Sequence, residues 1–99
     1  MTTVTLEKQQ GGYVAITLVG HAGYNPGEDI VCAGISTLVG FLAKTCEKIP
    51  GARATIMPGD CSFYLPEDRS TDVIRELFED LSEDYPDNVK VIKKYFVHG

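Results

Sequence analysis

Tryptophan is absent from this 99-residue chain, and basic residues are scarce: nine Lys and Arg face 14 Asp and Glu, a net charge of −5. A broad nucleic-acid interface needs a basic face to neutralise phosphates, so direct nucleic-acid binding is not expected, and a basic partner suits the chain better. No run of about 18 or more residues is apolar throughout, so no membrane-spanning helix is expected. Met1 to Gln10 lacks the charged-then-apolar pattern of a secretory signal, and the expected location is the cytoplasm. Cysteine is sparse and odd in number. Cys32, Cys46 and Cys61 lie far apart, which argues against a secreted disulfide framework and for reduced thiols. Paired ligand elements such as CxxC or HxxxH are missing, and recruiting Cys46 from the far end of a helix would be awkward, so no metal site is expected. No lysine follows Gly11-Gly12 or Gly20-x-x-Gly23 as a phosphate loop would require.

What remains is ordinary globular composition, 43% hydrophobic and 23% charged, without repeat or linker, so residues 1–99 are expected to form a single domain. Thr3 to Lys8 alternates Val4 and Leu6 against Thr3, Thr5 and Glu7, which predicts a strand. Gly11-Gly12 is a turn signal, and Tyr13 to Val19 resumes the alternation, completing a hairpin. Gly20 to Asp29 reads as a loop. Ile30 to Glu47 is long, apolar and free of proline, which predicts a helix with Asp29 as N-cap. That helix is apolar nearly all round, so it must be covered on more than one side. The sheet covers one side, and a second copy of the helix is the economical cover for the other, with Gly34 and Gly40 allowing close approach. A homodimer through the first helix is therefore expected.

Arg53 to Met57 and Cys61 to Leu65 flank Pro58-Gly59-Asp60 and predict a second hairpin. Ser70 begins a second helix reaching about Tyr85, and Val89 to Val97 closes the chain as a strand. The acidic face of that second helix is a solvated face that would also attract a basic substrate. The expected fold is α+β: a two-layer sandwich of ββαββαβ order, with two helices packed on a mostly antiparallel sheet.

The stretch from Gly20 to Cys32 carries the chemistry. His21 follows the end of a strand, and Cys32 falls in the first turn of a helix, where unpaired N–H groups and the helix dipole favour thiolate over thiol. A nearby imidazolium would add to that effect, giving a reactive Cys–His pair, and the same N–H groups would hydrogen-bond an oxyanion in acyl transfer. The plainer alternative is a small buried hydrophobe at Cys32 and a loop histidine bonded to backbone, which is what such pairs usually are. Ser36 lies one helical turn beyond Cys32 and either sits behind the site or bonds back within the helix. Cys46 and Cys61 read as core or edge thiols, and His98 carries no evident chemistry.

The string Gly20-His21-Ala22, then Asp29-Ile30-Val31-Cys32-Ala33, with Ser36 following, resembles the ribosomal-processing cysteine protease family, Prp. The resemblance covers nearly the whole chain in size and element order. It implies a cytosolic bacterial endopeptidase that removes the N-terminal extension of large-subunit ribosomal protein twenty-seven. The family dyad falls on His21 as base and Cys32 as nucleophile, with Gly20, Asp29 and Ser36 shaping the site. The family works as a homodimer and needs no cofactor. Its substrate extension is apolar and aromatic with a basic body behind it, which an apolar cleft near Tyr24 with an acidic flank would suit. Gly34 stands where alanine is the commoner family residue. Two rivals remain: a non-catalytic ribosome-assembly module that uses the same cleft, and a thiol redox sensor, for which no resolving cysteine lies close in sequence.

Overall fold

Two alternating runs, Thr2–Gln9 (β1) and Tyr13–Gly20 (β2), pair antiparallel in the computed structural model. Gly11 and Gly12, both at φ +76°, make the turn between them, a conformation that favours glycine. The structure describes residues 1–20 and 28–95, with the side chains of residues 28, 29 and 95 left out of the description. The first helix, Glu28–Lys48 (α1), leads into Arg53–Met57 (β3), and Pro58-Gly59 turns the chain into Asp60–Pro66 (β4). The second helix, Arg69–Asp84 (α2), then leads to Val89–Tyr95 (β5).

These elements follow the expected ββαββαβ order and form an α+β fold. The sheet runs β3-β4-β2-β1-β5, and only β1 and β5 pair in parallel. Each helix is thus a crossover: α1 carries the chain over β4, and α2 carries it over β2 and β1. Alternation along the strands builds the core. Val4, Leu18, Ile16 and Phe63 meet across the register on one face of the sheet and are buried there. Val31, Leu42 and Cys46 of α1, with Ile74 and Phe78 of α2, complete a single core against that face. The opposite face carries threonines and a stacked Tyr13–Tyr64 pair, ring centroids 4.8 Å apart.

Three expectations are corrected. Asp29 does not cap the first helix, because the helix already includes Glu28, and Asp29 is its second residue. Ser70 does not open the second helix. Asp68 caps it, accepting from the Thr71 N–H at 3.1 Å while the Thr71 hydroxyl oxygen accepts from the Asp68 N–H at 2.7 Å. Finally, Ile30–Lys48 is long and apolar enough by composition to cross a membrane, even though no unbroken apolar run exists. Its seating on the sheet through Val31, Leu42 and Cys46 is the place of a central helix in an α+β domain.

The acidic face of α2 is partly neutralised. Glu67 accepts from Lys8 at 3.0 Å and lies 3.6 Å from Arg75, which also pairs with Asp72, and Lys93 pairs with Glu79.

Candidate active site

The end of β2 is held by its neighbours on both sides. Gly20 pairs with Thr2 of β1, and its N–H donates to the Gly59 carbonyl, 2.9 Å away, in the β3–β4 turn. Gly20 sits at φ +99°, and a Cβ there would come within 2.3 Å of the Met1 carbonyl oxygen. Only glycine fits. The position that launches the following residue, His21, is therefore anchored to β1 and to the second hairpin together. His21 itself and Tyr24 lie outside the described residues, as does the side chain of Asp29.

Cys32 is the fifth residue of α1, not the third, because the helix starts earlier than expected. The influence of the helix terminus falls off within the first turn, so at this depth the dipole contributes less than the sequence suggested. The Cys32 side chain is half-buried and packs against the edge of the core. Ser36 is exposed one turn further on, on the same helix face.

The fold brings Gly20 and Ser36 together. Both border a cavity of about 210 Å³ between α1 and the end of the sheet. Leu18 forms part of its floor, Ile35, Val39 and Cys61 contribute its walls, and the exposed Asp60 stands at its rim. Sequence reasoning missed Asp60 and Cys61 as neighbours of Gly20 and Ser36. The signal that could have found them is the pairing of β4 with β2, which sets Cys61 opposite Leu18 and Asp60 opposite Val19.

The three thiols differ in setting, and none is in a disulfide. Cys46 is buried in the core, which pushes its thiol up from the ordinary 9.0, with a backbone hydrogen bond at Tyr64 pulling the other way. Its Sγ donates to the Arg53 carbonyl at 3.5 Å. Cys61 is half-buried, with Sγ 3.9 Å from the Met57 carbonyl. Among the described residues, no cluster of three or more His, Cys, Asp or Glu could hold a metal ion.

The glycines of α1 also differ. A Cβ on Gly34 would lie 3.8 Å from Leu81 of α2, so Gly34 serves helix packing within the chain; nothing lies within 4 Å of one on Gly40.

The family model of cysteine protease Prp matches residues 1–90. None of the curated proteins matches the chain. Among solved structures, SMU.848 from Streptococcus mutans superimposes with a TM-score of 0.73 at 21% identity, covering 97% of this chain and 99% of its own. The essential ribosomal processing protease Prp from S. aureus, in complex with a covalently linked product peptide, gives a TM-score of 0.69 at 22% identity, covering 95% of this chain and 100% of its own. At such identities the two structures show a shared fold.

Proposed function

We propose, since this chain belongs to the Prp family of cysteine proteases, that it is an endopeptidase of ribosomal processing that works through Cys32 and His21. The observation that carries the reading is the junction at Gly20. Gly20, a glycine-only position tied to two strands, directly precedes His21 in the chain, and it borders one cavity with Ser36, which lies one helical turn beyond Cys32. The substrate we propose is the N-terminally extended form of large-subunit ribosomal protein twenty-seven, processed in the cytoplasm. The S. aureus relative with this fold is a ribosomal processing protease.

The chemistry follows from the two residues. His21 takes the Cys32 proton, and the thiolate adds to the scissile carbonyl. Backbone N–H groups near the start of α1 stabilise the oxyanion. The C–N bond breaks as His21 returns the proton to the leaving amine, and an acyl-thioester remains on Cys32. Water, deprotonated by His21, hydrolyses that thioester and restores the thiol. Asp29, in the first turn of α1, is the carboxylate nearest in sequence to the dyad and a candidate to orient His21. Tyr24, between the two dyad residues in sequence, is the residue we propose to contact substrate. The mechanism needs no metal or organic cofactor.

The working unit we propose is a homodimer through α1. Ile30 and Phe41 are 67% and 49% exposed, and Val73 and Leu77 of α2 continue the apolar surface. A groove of about 370 Å³ between the helices includes Leu38, Phe41, Val73 and Leu77. A contiguous apolar surface of this kind on a small domain marks an interface.

The test is mass spectrometry of a peptide spanning the ribosomal protein's extension, incubated with the native protein and with Cys32→Ala. One cut by the native protein and none by the variant is expected. An intact peptide that still binds would favour an assembly factor without catalysis. A sulfenic acid on Cys32 without cleavage would favour a redox sensor.

A further inference from the structure

The two outer strands of the sheet are guarded unequally. β5 carries Lys90, Lys93 and Lys94, the kind of charge with which edge strands repel a further strand. β3 carries a single charge, Arg53, at its start, and all its residues are exposed, Ile56 at 55% and Met57 at 53%. The direction of its backbone groups is fixed by the neighbouring ladder. The Gly20 N–H donates to the Gly59 carbonyl at 2.9 Å and the Glu67 N–H to the Gly12 carbonyl at 2.7 Å, so the odd-numbered residues of β4 bond to β2 and the even-numbered ones to β3. Arg53, Thr55 and Met57 therefore turn their N–H and C=O groups toward β4, and those of Ala54 and Ile56 point out from the edge. Beside them, against the end of α1, lies a groove of about 410 Å³ whose room comes from Ala43, Ala52 and Ala54.

We propose that β3 is a self-association edge, to which β3 of a second copy of this chain adds antiparallel about a two-fold axis at Thr55. In that register Ala54 exchanges both backbone hydrogen bonds with Ile56 of the second copy, and Ile56 does the same with the second copy's Ala54. The side chains agree with the backbone. Ala54 and Ile56 stand opposite Phe63 and Cys61, on the helix side of the sheet, so each Ile56 enters the alanine groove of the other copy. Plug and groove thus lie on one patch, as an isologous contact requires. On the open face Thr55 meets Thr55, a favourable cross-strand pair, and Arg53 meets Met57, so no like charges are opposed. Met57 stands opposite Asp60, which is exposed, and the arriving Arg53 finds an opposite charge in the same row. The contact is separate from the α1 interface, whose groove lies between the two helices. Two five-residue strands bury less than the roughly 1,200 Å² of a stable complex, so the pairing joins copies only where they are concentrated.

Thr55→Cys traps the pairing. Opposed positions in a non-hydrogen-bonded pair have Cα atoms about 4.5 Å apart, within the span of a disulfide. The change is made in Phe41→Glu protein, which breaks the proposed α1 interface, and concentrated samples are oxidised with oxidised glutathione. The expected product is a dimer on non-reducing gels, with the cross-link mapped by mass spectrometry to position 55 of both chains. Thr17→Cys, on the same face but within the sheet on β2, stays monomeric. The register is read separately: Arg53→Cys and Met57→Cys do not cross-link alone, and their mixture does. Adding Ile56→Lys to Thr55→Cys abolishes the cross-link while circular dichroism reports a folded protein. A Thr55→Cys protein that cross-links no more than Thr17→Cys overturns the proposal. So does a cross-link that survives Ile56→Lys, or Arg53→Cys that cross-links alone as readily as in the mixture. None of these outcomes depends on peptide cleavage.

Discussion

Replacing Gly20 by alanine adds one methyl group to a position where two independent facts forbid it. The backbone stands at φ +99°, and the new Cβ would lie 2.3 Å from the Met1 carbonyl oxygen. Holding an L-residue in that backbone region costs of order 1–3 kcal/mol. Pushing a methyl against a fixed backbone oxygen adds about 1–3 kcal/mol, as overpacking does elsewhere. Met1 cannot retreat without disturbing the β1–β2 ladder or the bond from the Thr2 N–H to the Asn88 carbonyl, 2.8 Å. For a domain of this size the Tm of Gly20→Ala should fall by at least about 10 °C. The strained junction directly precedes His21, the base of the proposed dyad, in the chain. Misplacing a catalytic group by about 1 Å costs up to about 100-fold, so kcat/KM should fall further than the loss of folded protein explains. Differential scanning fluorimetry, paired with cleavage measured well below the variant's Tm, reads both effects. A Gly20→Ala protein that melts within about 2 °C of the native one and cuts at the native rate would refute the reasoning, since that is the scatter of ordinary surface changes.

Asp68→Ala removes the reciprocal cap of α2 and should cost about 1 kcal/mol, read as a Tm fall of about 4–8 °C. Phe41→Glu puts a charge on the exposed apolar face of the helices and should leave a folded monomer, read by light scattering and circular dichroism. Cys46 has its thiol raised by burial, so its neutral form is favoured in the folded state. Its contribution is complete below the ordinary value of 9.0 and is lost as pH rises toward the folded value. The Tm of the native protein should therefore decline more steeply between pH 9 and 10.5 than that of Cys46→Ala, and parallel declines would contradict the burial argument. The same burial should make Cys46 the slowest of the three thiols to react with iodoacetamide at pH 8.

Element order was legible because the period of the apolar residues changes cleanly along the chain. Val4 and Leu6 alternate with threonines in β1, whereas Ile74 and Phe78 recur at helical spacing in α2. Helix starts were less legible. Asp29 and Ser70 are both good caps by residue type, but Glu28 continues the first helix backward, and Asp68 reaches the Thr71 N–H where Ser70 does not stand at the cap. Strand order was not legible at all. It depends on β5 choosing the free edge of β1 and β4 choosing that of β2, pairings between segments far apart in sequence. For the same reason candidate site residues could be named from the GHA and DIVCA strings, while Asp60 and Cys61 could not be placed at the cavity they share with Gly20 and Ser36. The apolar surface of α1 leaves Ile30 and Phe41 exposed, and Gly34, expected to allow a second copy to approach, faces Leu81 of its own chain.

The central claim is covalent catalysis at Cys32, and the most direct test is to catch the acyl-enzyme. The native protein and a peptide of the ribosomal protein's extension are mixed, quenched in acid within the first turnover, and weighed by electrospray mass spectrometry. The account predicts an adduct equal in mass to the acyl half of the cut peptide, mapping to the proteolytic fragment that contains Cys32 and absent from Cys32→Ala. Cleavage by Cys32→Ala at the native rate, or an adduct that maps to Cys61, would contradict it.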